Sequence, residues 1–472
     1  MKRILSICLV LCLFLSLVSS YTFATSSATI TVTASTDTVS RGSEITFTVD
    51  ISENGGFNAI TNLQIDYDSS LFQFVSADIS DTLLSSAAIN PDTGLLSFAC
   101  ADPVTIEGIL FRATFRILRS APLCSIPVGV TYENFAVSRE ATTGEEYDEL
   151  TITENKALLT IVAGEGGYER IAGERRTETA AAISSECFES ADNVVLASGD
   201  NFADALAGVS LAYAMDAPIL LVHNNKLDDA TLEEIDRLKT KTVTILGGTV
   251  AISDTVKDTL ESRGYRVARI AGEKRFQTAV LIAEALQAIK GTPTELFFVV
   301  SDNFPDALAV SNVAAIMGCP VLYIASKGTL DSATEAYLQS CGVKKATIIG
   351  GTTAINEVAE GNIASALGIH EEDVARLSGD DRYKTCILIN ETYASTLTGR
   401  DICVATGTNY PDALAGGVFA ARHASPMLLV STSIKDFQKT YLGQIKPEIV
   451  YVFGGPGAVS DDVAKAVVAA SK

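Results

Sequence analysis

Arg170-Ile-Ala-Gly-Glu-Arg-Arg176 returns as Arg269-Ile-Ala-Gly-Glu-Lys-Arg275 and again as Arg376-Leu-Ser-Gly-Asp-Asp-Arg382. Working outward, Asn201-Phe-Ala-Asp204-Ala-Leu matches Asn303-Phe-Pro-Asp306-Ala-Leu and Asn409-Tyr-Pro-Asp412-Ala-Leu. Ala217-Pro-Ile-Leu-Leu-Val222 matches Cys319-Pro-Val-Leu-Tyr-Ile324 and Ser425-Pro-Met-Leu-Leu-Val430. The pairs Gly247-Gly248, Gly350-Gly351 and Gly454-Gly455 close the set, 103 and 104 residues apart. Four blocks in one order, three times over, define a repeated structural unit.

Within each copy, strand-length apolar runs such as Val194 to Ala197, Ile219 to Val222 and Val243 to Leu246 alternate with helical stretches such as Asp228 to Leu238. That alternation predicts α/β modules with mainly parallel sheets covered on both faces. Ala180, Ile183 and Cys187 correspond to Ala279, Ile282 and Leu286 and to Cys386, Ile389 and Tyr393, a spacing that gives a helix one buried face.

Upstream the period changes. Ile45, Phe47, Val49 and Ile51, and later Ile109, Phe111, Ala113, Phe115 and Ile117, alternate as half-buried strands do, with turn signals at Asn54-Gly55-Gly56 and Asp92-Thr93-Gly94. An all-β sandwich is expected over residues 27–163. Ala-Gly-Glu-Gly-Gly, ending at Gly167, marks a flexible break, so 164–167 reads as a linker. The modules then span 168–266, 267–373 and 374–472. Residues 1–24 read as a secretory signal, with Lys2 and Arg3 ahead of the apolar run Ile4 to Val18 and cleavage near Ala24. That run is shorter than the roughly 20 residues of a spanning helix, so no transmembrane anchor is expected.

A formal net charge of −22 argues against nucleic acid or an anionic membrane as partner. Two of the nine cysteines leave with the signal; Cys319, Cys341 and Cys403 fall opposite small or apolar residues in the other copies and read as core. Cys100 and Cys124 are left open. His223, His370 and His423 occupy no repeated position, and zinc-hydrolase, nucleophile-elbow and Walker spacings are missing. The sequence therefore calls for no catalytic residue, cofactor or metal ion.

What remains is a set of polar groups at expected strand ends and helix starts. Arg170, Arg176, Arg269, Arg275, Arg376 and Arg382, with Asn201, Asn303 and Asn409, are the candidates for holding an anionic polymer. Guanidinium forks and free helix N–H groups suit phosphate or carboxylate. Pairing of each second arginine with the aspartate of its own copy, Arg176 with Asp204 for example, is an equal alternative. Asp204, Asp306 and Asp412 read as helix caps or loop staples, because a carboxylate repels an anion. The paired glycines read as tight strand-to-helix turns.

At these blocks the chain resembles the cell wall binding repeat 2 family, in three copies from Tyr168 to the C-terminus. The resemblance implies a pseudo-threefold array of α/β modules that attaches exported proteins noncovalently to an anionic secondary polymer of the Gram-positive wall. Thr177 stands where Phe276 and Tyr383 keep an aromatic, and Cys386 replaces an alanine, which implies weaker binding by the first copy. The β-domain resembles cohesins through Ser40-Arg-Gly-Ser43, Asn62-Leu-Gln-Ile-Asp-Tyr-Asp68 and Gly108-Ile-Leu-Phe-Arg-Ala-Thr-Phe115. That likeness implies a jelly roll that captures a dockerin-bearing secreted protein; carbohydrate binding is the alternative. A noncatalytic, secreted anchor on the cell surface is the leading expectation. A protein associated with peptidoglycan hydrolase activity and a structural surface-layer protein are the rivals.

Overall fold

A computed structural model describes residues 27–79, 87–90, 92–105, 107–118, 121–139, 146–164, 166–201 and 205–472. The expected signal, and Asp204 with its two preceding neighbours, lie outside the described residues. The chain divides into two units, one ending at Val162 and one running from Ala163 to Lys472.

The first unit is β-rich. Glu44–Ser52 buries Ile45, Phe47, Val49 and Ile51 on one face while its alternate residues stay partly exposed, as the two-residue period requires. One sheet runs in the order Thr151–Asn155, Ser27–Ala34, Glu44–Ser52, Gly108–Ile117, Phe72–Asp78. The second centres on Phe57–Asp66, paired with Asn134–Arg139, Leu96–Val104 and Ser125–Thr131. Phe47, Phe72 and Phe115 from the first sheet meet edge to face, as do Phe57, Phe98 and Phe135 from the second, and both groups belong to one core.

The second unit contains three four-stranded sheets, each parallel throughout. In the first, Ile219–Val222, Asn193–Ser198, Thr242–Leu246 and Arg266–Ile270 lie side by side. The second orders Val321–Ile324, Leu296–Val300, Ala346–Ile349 and Val374–Leu377. The third orders Met427–Val430, Ile402–Thr406, Val450–Phe453 and Glu169–Ile171. Each sheet thus ends on the strand that carries an Arg-Ile or Arg-Leu block, and the first such strand in the chain completes the last sheet. Sheet pairing crosses the repeat boundaries drawn from sequence: Arg269, placed there in the second module, sits on a strand paired with Thr242–Leu246.

The helices after the Asn-Phe/Tyr-x-Asp blocks explain how the copies associate. Pro305–Met317 buries Ala307 to Ala315 without interruption, and Pro411–Arg422 buries Ala413 to Ala421. A helix apolar all round has no solvent face and must be surrounded. These two helices and Val209–Ala214 pack against one another. At their meeting point a Cβ on Gly417 would stand 3.0 Å from Val209 Cγ1 and 3.1 Å from Ser311 Oγ, so only glycine fits there without displacement. Asn312 Nδ2 donates to Ser425 O at 2.8 Å, tying the second copy to the third.

The helix Asp229–Arg237 agrees with the expected stretch, with Asp228 and Leu238 at its caps. All seven cysteines of the described residues are free thiols. Cys319, Cys341, Cys386 and Cys403 are buried, Cys403 occupying the same strand position as the fully buried Val195 and Phe297.

Candidate functional site: a cleft at the junction between copies

The six arginines divide into two sets with different surroundings. Arg170 Nη1 donates to Gly454 O at 2.6 Å, and its Nη2 to Val459 O at 2.9 Å and Asp461 Oδ1 at 2.8 Å. Arg269 donates to Gly247 O and Ile252 O, with Asp254 at 3.3 Å. Arg376 donates to Gly350 O and Ile355 O and makes a two-pronged pair with Glu360. The first arginine of each block therefore fastens the fourth strand of a sheet to that sheet's Gly-Gly turn. Its donors are largely spent, and the side chains are only 17%, 16% and 14% exposed.

The second arginines start the helices Arg176–Cys187, Arg275–Lys290 and Arg382–Thr392. Each donates to a strand-end carbonyl of its own copy: Arg176 to Gly199 O, Arg275 to Ser301 O and Arg382 to Gly407 O. Arg176 and Arg275 keep 36% and 33% of the side chain exposed, about twice the value of the first set. Asp200 lies 3.9 Å from Arg176, and Asp302 lies 3.6 Å from Arg275. Thr408 holds the corresponding place in the third copy.

Pairing of a second arginine with the aspartate of its own copy is corrected for Asp306 and Asp412, whereas the pairing of Arg176 with Asp204 lies outside the described residues. Arg382 acts electrostatically on Asp306 of the second copy, and Arg176 on Asp412 of the third. For these two arginines the facing partner belongs to the preceding copy, with the third preceding the first. The reason is the helix packing: Arg382–Thr392 lies against Pro305–Met317, and Arg176–Cys187 against Pro411–Arg422.

The cap reading is also corrected for Asp306 and Asp412. Phe304 and Tyr410 are the N-cap residues, Pro305 and Pro411 take the first helical position, and Asp306 and Asp412 come second with no cap bond made. Asn303 Oδ1 and Asn409 Oδ1 instead accept the Phe304 and Tyr410 N–H groups at 3.1 and 3.0 Å. The aspartates lie against the glycine turns: a Cβ on Gly350, whose φ is +120°, would stand 2.8 Å from Asp306 Oδ2, and one on Gly454 would collide with Asp412 Oδ2. Burial pushes the Asp306 carboxyl up to about 6, against the pull of Arg382, and raises that of Asp412 against Arg176.

Asp306, Asn303 and Arg382 line one cleft of about 210 Å³ between the second and third copies. Asn303, Asp306, Gly350 and Gly351 come from one side, and Gly379, Asp380, Asp381 and Arg382 from the other. Sequence reasoning missed the aromatic member of the block. Arg382 stands 5.9 Å from the Phe304 ring centre, Phe304 and Tyr410 lie 6.0 Å apart, and Tyr410 Oη donates to Gly199 O at 2.6 Å. The recurring Phe, Phe, Tyr after each asparagine was the available signal. His223, set aside because it does not recur, places Nδ1 3.0 Å from Asp200 at the corresponding edge of the first copy.

The fold and the cleft define a triplicated α/β unit with a polar cleft shared between its second and third copies. The family model Cell wall binding domain 2 (CWB2) matches residues 170–257, 269–360 and 376–464, more than half of the chain, and the chain belongs to that family. N-acetylmuramoyl-L-alanine amidase LytC of Bacillus subtilis is 29% identical over 64% of this chain and 58% of its own length. The likeness to it lies in the wall-binding region. The Amidase enhancer of the same organism is 28% identical over 62% of this chain and 39% of its own. The chain therefore spans less than two thirds of either relative. Cwp8 from Clostridium difficile shares the fold at a TM-score of 0.57, with 19% identity over 91% of this chain and 89% of that one. Cwp6 from the same organism gives 0.61, with 20% identity over 94% and 68%. The protein is cell wall-associated, and no helix among the described residues is long and apolar enough to cross a membrane.

Proposed function

We propose that the chain is a noncatalytic, secreted anchor whose second unit, a pseudo-threefold array, holds an anionic secondary polymer of the Gram-positive wall in the clefts between copies. The observation that carries this reading is the split among the arginines. Arg170, Arg269 and Arg376 are consumed by turn carbonyls, whereas Arg382, which starts a helix, lines a cleft that also holds Asn303 and the Gly350-Gly351 turn. A guanidinium with free N–H groups beside a helix start suits a phosphate or carboxylate. A site of this kind at each of the three repeated blocks would give a repeating polyanion an effective concentration that no single site provides. The first unit, two sheets over one aromatic core, is read as a cohesin-like jelly roll that displays a face to a dockerin-type partner or a carbohydrate.

Co-sedimentation of the full chain with purified Gram-positive walls, before and after extraction of their anionic polymer, tests the anchor. Retention is expected on intact walls and loss on stripped ones; equal retention on both contradicts it. A pulldown of secreted proteins that recovers no dockerin-bearing partner removes that role for the first unit.

A further inference from the structure

Asp306 holds a place in the cleft, and Asp412 the matching place against the Gly454 turn, that an anion-binding site ought to deny to a carboxylate. Each follows a proline, which has no N–H, and the N–H before that proline is already taken by Asn303 or Asn409. Among the described residues neither carboxylate accepts a hydrogen bond or forms an ion pair; Arg382 and Arg176 act on them only at longer range.

The other charges around them are committed elsewhere. Beside Asp306, the cleft holds Asp380 and Asp381, and Asp381 accepts from the Tyr383 and Lys384 N–H groups and pairs with Lys435 at 3.1 Å. Behind the Gly350 turn, Arg376 is paired with Glu360. Behind the Gly454 turn, Arg170 is paired with Asp461, while Arg176 lies near Asp200 and Arg175 pairs with Glu178. An unpartnered, largely buried carboxylate with acidic neighbours favours its neutral form, and burial raises both groups in that direction.

We propose that Asp306 and Asp412 enter polymer capture as neutral carboxylic acids, each donating a hydrogen bond to an anionic oxygen that Arg382 or Arg176 also contacts, so that binding takes up protons. This rests on the polymer-binding reading above. An ionised aspartate beside the same oxygen repels it, whereas the protonated acid supplies an O–H donor. The anion in turn holds the proton on the acid, and affinity and protonation rise together.

The test is the affinity of the full chain for purified Gram-positive walls bearing a phosphodiester polymer, followed from about pH 5.5 to about pH 8. Wild-type affinity is expected to fall as pH rises, by up to roughly tenfold per pH unit for each coupled proton, with the Asp306 step setting in above about 6. The double variant Asp306→Asn, Asp412→Asn replaces each acid by an amide donor and is expected to bind with no such slope, retaining its affinity near pH 8. Thermal unfolding of both proteins at each pH keeps a folding defect apart from a binding one. A wild-type profile flat with pH, while Arg176→Gln with Arg382→Gln abolishes wall binding, overturns the proton coupling and leaves the anchor reading in place. Loss of binding by the asparagine variant at every pH, with its fold intact, also overturns it. Full binding by the arginine variant overturns both readings.

Discussion

The guanidinium of Arg170 donates to the carbonyl oxygen of Gly454 at 2.6 Å, joining positions 284 residues apart in the chain. Through that bond, and the pairing of Glu169–Ile171 with Val450–Phe453, the start of the second unit completes the sheet built near its end. Arg269 and Arg376 make the equivalent bonds to Gly247 and Gly350 over 22 and 26 residues. The same chemistry thus serves as a local staple twice and as a closure once.

Arg170→Ala strands the Gly454 and Val459 carbonyls together, and a loss of about 1–3 kcal/mol is expected. Hydrogen exchange should show the failure locally, with Val450–Phe453 losing protection while Asn193–Ser198 keeps it. Equal loss in both strands would show that closure is not confined to the third sheet.

The glycine pairs should respond unequally to alanine. Gly350 and Gly454 combine positive φ with a close aspartate, so Gly454→Ala should cost more than about 1 kcal/mol. Gly455 has nothing within 4 Å of an added Cβ and no positive φ, so Gly455→Ala should be close to neutral. Chemical denaturation of the two variants reads the difference as a shift in midpoint.

Stability should depend on pH through Asp306. Its folded value, about 6, lies above the ordinary 3.8, so the native state binds the extra proton. Native stability is therefore greater below about pH 4, falls as pH rises toward about 6, and stays lower above it. Asp306→Asn removes the cost of burying a charge and should raise stability near pH 7 by about 1–3 kcal/mol. Thermal unfolding at about pH 4 and about pH 7, roughly bracketing that range, should show the variant's advantage growing with pH and largest at the higher value.

Glu295 is 1% exposed, yet it receives Tyr393 Oη at 2.9 Å from the third copy, the Thr347 hydroxyl and Lys345 Nζ at 2.9 Å. Tyr393→Phe removes one donor from a buried carboxylate at a junction, for a cost of about 1–2 kcal/mol in denaturant unfolding. A neutral result would mean that water replaces the hydroxyl.

The strand and helix pattern of each copy was legible because apolar periodicity reports local structure. Val194 to Ala197, Ile219 to Val222 and the stripe through Ala279, Ile282 and Leu286 all take the expected places. Which strand completes which sheet was not legible. Glu169–Ile171 pairs across nearly the whole unit, and no local preference records a partner that distant. The site followed the same rule. The arginines and asparagines were visible as repeated polar groups, but two arginines per block look alike in sequence. Only the fold separates the one that fastens a turn from the one that faces a cleft. Arg382 meets Asp306 rather than Asp412 because the helices pack between copies, a relationship that spacing within one copy does not encode.

The central claim is tested most directly by wall binding of the triple variant Arg176→Gln, Arg275→Gln, Arg382→Gln in the full chain, measured on intact and polymer-stripped walls. The account predicts that the folded variant binds intact walls at least about tenfold more weakly than wild type, the loss of roughly 1.4 kcal/mol or more, and no better than it binds stripped ones. Undiminished binding of that variant to intact walls would contradict it.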